Sequence, residues 1–243
     1  MTLLHTPAPA EGRVELDPAL GFVEPAQRIL DNFGAKFFPP GEKAIYDADP
    51  DNLYQFTAYH GNHTLELSTW QSLCVLDEAG EWANWHSGPG KRRTQRFGVL
   101  MEGYRPPSRA VQIAGQGTTL PYVNGCSTQQ LFPPVRLGDP TLQYLRIPAG
   151  SEEQAHHIHS TVRVVHILEG HGTCIVGMEG NQVAVRLVPG TTLILEPMCP
   201  HHFDTIGQNQ PLVCIPFHVF SSSGAAEFNH PMFNGTYLMN QGA

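Results

Sequence analysis

The sequence predicts an all-β fold, and three observations carry that expectation. Glycine (24) and proline (21) are both abundant in a chain of 243 residues, so turns must be frequent. A 3.6-residue apolar period is nearly absent outside one short stretch. Apolar runs of strand length recur between turn signals, most densely after residue 140. The length suits one large β domain or two small ones, with ample room for a core.

Taken in order, the elements begin with a Pro/Ala/Gly-rich arm over residues 1–22. Residues 24–34 read as a short helix, with Pro25 near its first turn and Gly34 just past its end. Pro-Pro-Gly and Asp-Pro signals make 35–52 a loop. Strands are expected at 53–60, 64–67 and 72–76, then a turn at 77–80, with Trp82 and Trp85 in core or edge packing. Residues 95–102 form another apolar run, ended by Gly103. The stretch 104–139, full of Pro, Gly, Asn and Ser, reads as a long irregular connection. Strands follow at 141–148, 157–168, 173–178, 182–188, 191–196, 201–205 and 211–220, with turns at 178–182 and 188–190. The chain is thus organised as an N-terminal arm and helix over 1–52, an N-terminal β region over 53–139, a principal barrel over 140–220 and a C-terminal arm over 221–243.

An internal echo suggests a second barrel. Thr94–Gly103 lines up with Thr161–Gly170, matching Thr, Arg, Glu and Gly at the same places, and Gly117–Leu120 echoes Gly190–Leu193. In that alignment Gly90 and Arg92 stand where His157 and His159 stand, so the first half would be a barrel without metal ligands.

Charge and composition remove several function classes. A net charge of -8 leaves no basic footprint for nucleic acid, and the short cluster Lys91-Arg92-Arg93 with Arg96 reads as a solvated loop. No apolar run reaches the ~18 residues of a membrane span. The first residues lack the charged and apolar regions of a signal peptide. Five cysteines, an odd number without close-pair spacing, suit a reducing cytoplasm.

Histidine carries the chemistry. Eight of the 13 histidines lie between 156 and 218. His157 and His159, spaced i, i+2 at the start of a β run, share one face and can hold one metal ion from one strand. A further histidine comes from His201-His202, and parity along the strand leaves open which of the two it is. His156 and His166 have the opposite parity, His171 lies in a turn, and His218 is either core-lining or a neighbour of the site.

These residues resemble the cupin superfamily. Its first motif is matched by Gly150, His157-Ile158-His159 and Gly170, with one extra residue between Gly150 and the histidines. Its second motif is matched by Pro189-Gly190, a strand, Pro197, and Pro200-His201-His202-Phe203, in which the Pro-His-x-Phe pattern favours His201. The resemblance covers about residues 140–220 and implies a jelly-roll β-barrel holding a divalent metal through His157, His159 and His201. It implies a bicupin with a degenerate N-terminal barrel if the echo is structural, and dimerisation through edge strands, so a homodimer is expected. The sequence departs from the family at Arg163, where a Glu ligand usually stands. This gives a three-histidine site, with a distant similarity to the thiol dioxygenases and the gentisate-type ring-cleaving enzymes.

Three neutral imidazoles suit several divalent ions and leave coordination positions open. A guanidinium ~5 Å from a divalent ion is repelled by roughly 6 kcal/mol at an effective dielectric of ~20. Arg163 therefore calls for an anion between it and the metal, or for a buried carboxylate of its own. The expected function is that of a metal-dependent enzyme on a small anionic molecule, an Fe(II) dioxygenase acting on a carboxylate. The rivals are a lyase, isomerase or hydrolase using Zn, Ni or Mn, and a non-catalytic small-ligand-binding protein.

Overall fold

The computed structural model describes residues 13–17, 24–51, 54–113, 120–121, 126–136, 138–151, 156–219 and 236–237. Most of both expected terminal arms, residues 117–119 of the echo and 152–155 of the first motif lie outside them. One helix, α1 (Ala26–Asn32), is described. The first half carries β1 (Arg13–Leu16), β2 (Ala35–Phe38), β3 (Ala44–Asp47), β4 (Phe56–His60), β5 (His63–Leu67), β6 (Gln71–Leu76), β7 (Trp82–Ser87), β8 (Gly90–Thr94), β9 (Phe97–Glu102), β10 (Arg109–Gln112) and β11 (Leu120–Pro121). The second carries β12 (Ser127–Phe132), β13 (Thr141–Ile147), β14 (Ile158–His159), β15 (Arg163–Glu169), β16 (Gly172–Met178), β17 (Asn181–Leu187), β18 (Thr192–Leu195), β19 (His201–Asp204) and β20 (Leu212–His218). A short β21 (Thr236–Tyr237) pairs with β14.

The fold is all-β, and two sheets dominate it. The first has the order β3-β4-β9-β6-β7-β10 and the second β12-β13-β20-β15-β18-β2, with β11 added outside β12. All of these ladders are antiparallel. In chain order β4, β5, β6, β7, β8 and β9 thus repeat the pairings of β13, β14, β15, β18, β19 and β20, including β5 with β8 against the His157–His201 bridge. The second half inserts the hairpin β16–β17 between β15 and β18. The halves are therefore two versions of one jelly-roll ladder, the first of them reduced.

This corrects the correspondence drawn from the echo. The strand β9 takes the place of β20, not of β15, so Gly90 and Arg92 are not the counterparts of His157 and His159. Four matched residues in ten were too few to fix a register. The 35–52 loop contains β2 and β3, and the 104–139 connection contains β10, β11 and β12. Short strands flanked by Pro and Gly gave no period to read. The basic Lys91-Arg92-Arg93 run is the strand β8 rather than a loop, although Lys91 and Arg93 remain exposed. Of the two tryptophans, Trp85 is fully buried against Tyr104, Phe132 and Phe217, whereas Trp82 is exposed.

Alternation along β15 explains how one strand serves two cores. Val165 and Ile167 face the barrel interior with Cys174, Val176, Leu193 and Phe203, where α1 adds Ala26 and Leu30. Val164 and Leu168 face the other way, packing with Phe217 and Ile194 against Phe56, Trp85 and Phe97 of the first sheet. After β15 the chain turns through Gly170 at φ +76°, where a Cβ would lie 1.9 Å from the Pro211 carbonyl oxygen, so only glycine fits.

A buried polar clamp joins the two sheets. His60 Nε2 lies 2.9 Å from the Pro39 carbonyl, which can only accept, so this nitrogen carries the proton. The Thr192 hydroxyl then donates to His60 Nδ1 (2.8 Å) and accepts from His166 Nδ1 (2.9 Å). This arrangement has both rings neutral, the form that burial favours. Burial pushes His60 down, and burial, helped by His60 and Arg96, pushes His166 down to about 3. A histidine whose pKa is lower folded than unfolded contributes stability that is intact above about 6.5 and is lost as pH falls toward 3. Between pH 7 and 4.5 the wild type should lose about 2–3 kcal/mol more than His166→Gln, measured by urea unfolding. Equal losses would contradict a buried neutral His166.

Candidate metal centre

The two motif segments are tied together by backbone. His157 and His201 exchange hydrogen bonds, N–H to O, of 3.0 and 2.9 Å, which sets them directly opposite one another. Met198, in the loop before β19, takes φ +66°, and its N–H donates to the His159 carbonyl at 2.7 Å. The β18–β19 loop is thereby anchored to β14, and His201 starts β19 at a fixed place.

Side-chain parity then gathers His157, His159 and His201 into one cluster. All three are buried, their ring centroids are 4.5–5.1 Å apart, and their candidate ligand nitrogens lie within 4.8 Å of one another. It is the one such group among the described residues. Of the two histidines at the second motif, His201 joins the cluster. His202 turns to the other face, where its Nδ1 meets His156 Nδ1 at 2.8 Å while His156 Nε2 donates to the Gly177 carbonyl at 2.6 Å.

The donor set fits a divalent ion. The His201 Nδ1–H donates to the Cys199 carbonyl (2.9 Å), which turns the lone pair of Nε2 toward the other two rings. Burial, followed by the Arg163 charge, holds His159 well below its ordinary value. Burial lowers His201 to about 3 against the opposing Cys199 bond. Neutral imidazole is the form that binds a metal. The Nε2 atoms of His157 and His159 are 3.0 Å apart. That separation would let both nitrogens hold one ion.

The cluster opens on a cavity of ≈ 20 Å³, room for about one water. His159, Arg163, His201, His218 and Gln143 bring polar groups to it, and Leu145, Val165, Leu195, Phe203 and Pro216 make its apolar wall. No carboxylate is among the described lining residues. Arg163 is 2% exposed and lies in register between Leu195 and His218. Its Nη1 donates to the carbonyls of Thr161 and Val162, both at 3.3 Å, and to the Thr161 hydroxyl. Its charge reaches His159, His201 and His218, in each case as a cause secondary to burial.

The residues singled out in the sequence thus fall into three groups. His157 joins His159 and His201 in one cluster, and His159, His201 and Arg163 meet at one cavity. His218, placed by sequence in the core or beside the site, lines that cavity. His166 points to the sheet interface and His171 is exposed. Gln143 was missed, since a single Gln in a strand carries no motif. Its position one turn of the alternation before Leu145 was the available signal. All five cysteines are free and buried, and burial raises Cys199 to about 12, which leaves it a packed thiol. Among the described residues no helix is long and apolar enough to cross a membrane.

Comparison with known proteins agrees with this architecture. A family model described as a cupin domain matches residues 143–219. No curated protein matches the chain. Among solved structures, a putative glyoxylate-induced protein from Pseudomonas aeruginosa is 13% identical over 75% of this chain and 88% of its own, with a TM-score of 0.52. A mutant oxalate decarboxylase from Bacillus subtilis is 8% identical over 77% and 76%, with a TM-score of 0.43. A cupin 2 conserved barrel domain protein from Leptotrichia buccalis is 12% identical over 75% and 91%, with a TM-score of 0.40. With the jelly-roll ladders, both histidine segments and the match at 143–219 in agreement, residues 143–219 of the chain form a cupin domain, and the three-histidine cluster lies within it.

Proposed function

We propose that the protein is a metal-dependent enzyme, an Fe(II) dioxygenase acting on a small carboxylate. One observation carries the reading: a buried three-histidine cluster opens on a cavity that it shares with the buried Arg163, and no carboxylate is among the described residues that line it. His157, His159 and His201 would hold the ion, with no acidic ligand among the described residues. A neutral donor set leaves the full dication charge in the cavity, next to Arg163. Two cations facing one space favour an anionic occupant.

The chain's own residues account for binding and exclusion. The planar fork of Arg163, anchored through Nη1 to Thr161 and Val162, suits a carboxylate bidentately. Leu145, Val165, Leu195, Phe203 and Pro216 keep bulk water out, which strengthens that attraction. His218, held neutral by burial and by Arg163, adds no competing charge. When bound, Fe(II) supplies the one-electron chemistry that lets dioxygen react with a closed-shell organic molecule.

Anaerobic loading with Fe(II), followed by addition of small carboxylates and air, should give substrate-dependent oxygen uptake in an oxygen electrode. Zn-loaded protein should give none. Turnover with Zn, Ni or Mn and without oxygen uptake would instead favour a lyase, isomerase or hydrolase.

A further inference from the structure

Gln143 stands out among the groups at the cavity. It lies on β13, is 1% exposed and lines the same space as Arg163, His159 and His201. Its Oε1 accepts from the Thr128 hydroxyl at 3.4 Å, which orients the amide. Its Nε2 has no hydrogen-bond partner. A buried N–H donor left unmade costs free energy comparable to a lost hydrogen bond, so such groups are rare unless something arrives to satisfy them. Its apolar neighbours in the described wall, Leu145, Val165 and Leu195, offer no acceptor, and no bond to the histidines of the cavity satisfies it.

We propose that Gln143 and Arg163 form a two-donor cradle, and that the site selects a small carboxylate bearing a second acceptor oxygen, a 2-oxo or 2-hydroxy acid. This rests on the anion reading above and narrows it. Arg163 supplies the charged fork for the carboxylate. The Gln143 Nε2–H donates to a neutral oxygen one or two bonds away, for which a neutral donor is the better match. Gln143 is on this view a specificity-determining residue, not a metal ligand.

The test uses Co(II)-loaded protein, whose visible absorption reports ligand binding without turnover. Pyruvate and glycolate carry the second oxygen; acetate does not. In Gln143→Leu, pyruvate and glycolate should bind about tenfold more weakly, acetate within about twofold of wild type, and Co(II) affinity should be unchanged. Gln143→Glu, of the same shape but acceptor-rich, should weaken all three and keeps the test available if the Leu variant fails to fold. Equal affinity of wild type and Gln143→Leu for pyruvate, or an equal loss for acetate, overturns the role of Gln143, and the amide is then satisfied by water only. No binding of any of the three by wild type overturns the anion reading at Arg163 itself, and this inference with it.

Discussion

His201→Ala should abolish metal loading while His202→Ala should not. Loss of one of three ligands should weaken metal binding by at least about 100-fold, beyond the roughly 10–100-fold typical of residues that only orient ligands. His202 faces away from the cluster and meets His156, so its removal should leave metal affinity within a few-fold. Isothermal titration with Co(II), beside circular dichroism to confirm folding, reads both variants. The same loss in both would make the pair act together; loss only in His202→Ala would make His202 the ligand. Because the three imidazoles are already gathered, the cluster needs no rearrangement to bind, and this is why one substitution should suffice.

Arg163→Leu should raise the half-saturating concentration of a carboxylate at least about tenfold, the effect of roughly 1.4 kcal/mol of binding. The metal content should not fall. It should rise if anything, because removal of a buried cation beside the cluster relieves repulsion. Arg163→Lys does not rescue, since a point charge on a flexible stem replaces a planar fork held by Thr161 and Val162. Unchanged affinity for acetate and glycolate in Arg163→Leu would remove the anion clamp and leave Arg163 a packing residue. The same variant separates charge from volume when compared with Gln143→Leu. The arginine acts on every carboxylate, whereas the glutamine acts on those with a second oxygen.

Much of the site could be read in the chain because the relevant geometry is local. Parity places His157 and His159 on one face whatever the rest of the fold does, and the same count by twos places Arg163 and Val165 inward despite the break between β14 and β15. The choice between His201 and His202 was not local. It depends on the His157–His201 bridge, a contact across 44 residues that only the fold supplies. The short helix was legible from Pro25 and Gly34, since capping is also local. The strands β2, β3, β10 and β12 were not. Each is short, flanked by turn residues, and held by a long-range ladder rather than by its own pattern. The reduced first barrel was suspected for the wrong reason: the residues that appeared to repeat lie on strands that are not equivalent, whereas the ladder order does repeat. Gln143 and the His60–Thr192–His166 clamp became visible only when segments far apart in sequence met across β13 and between the sheets.

The metal-to-chain ratio bears most directly on the central claim. Elemental analysis of protein purified without chelator, then again after anaerobic reconstitution with Fe(II), should give close to a single ion per chain in at least the second sample. The ratio should collapse in the His157, His159 and His201 alanine variants. A wild-type chain that stays metal-free after reconstitution with Fe(II), Zn, Ni and Mn, or that loads equally with any of the three histidines removed, contradicts a metal centre at this cluster.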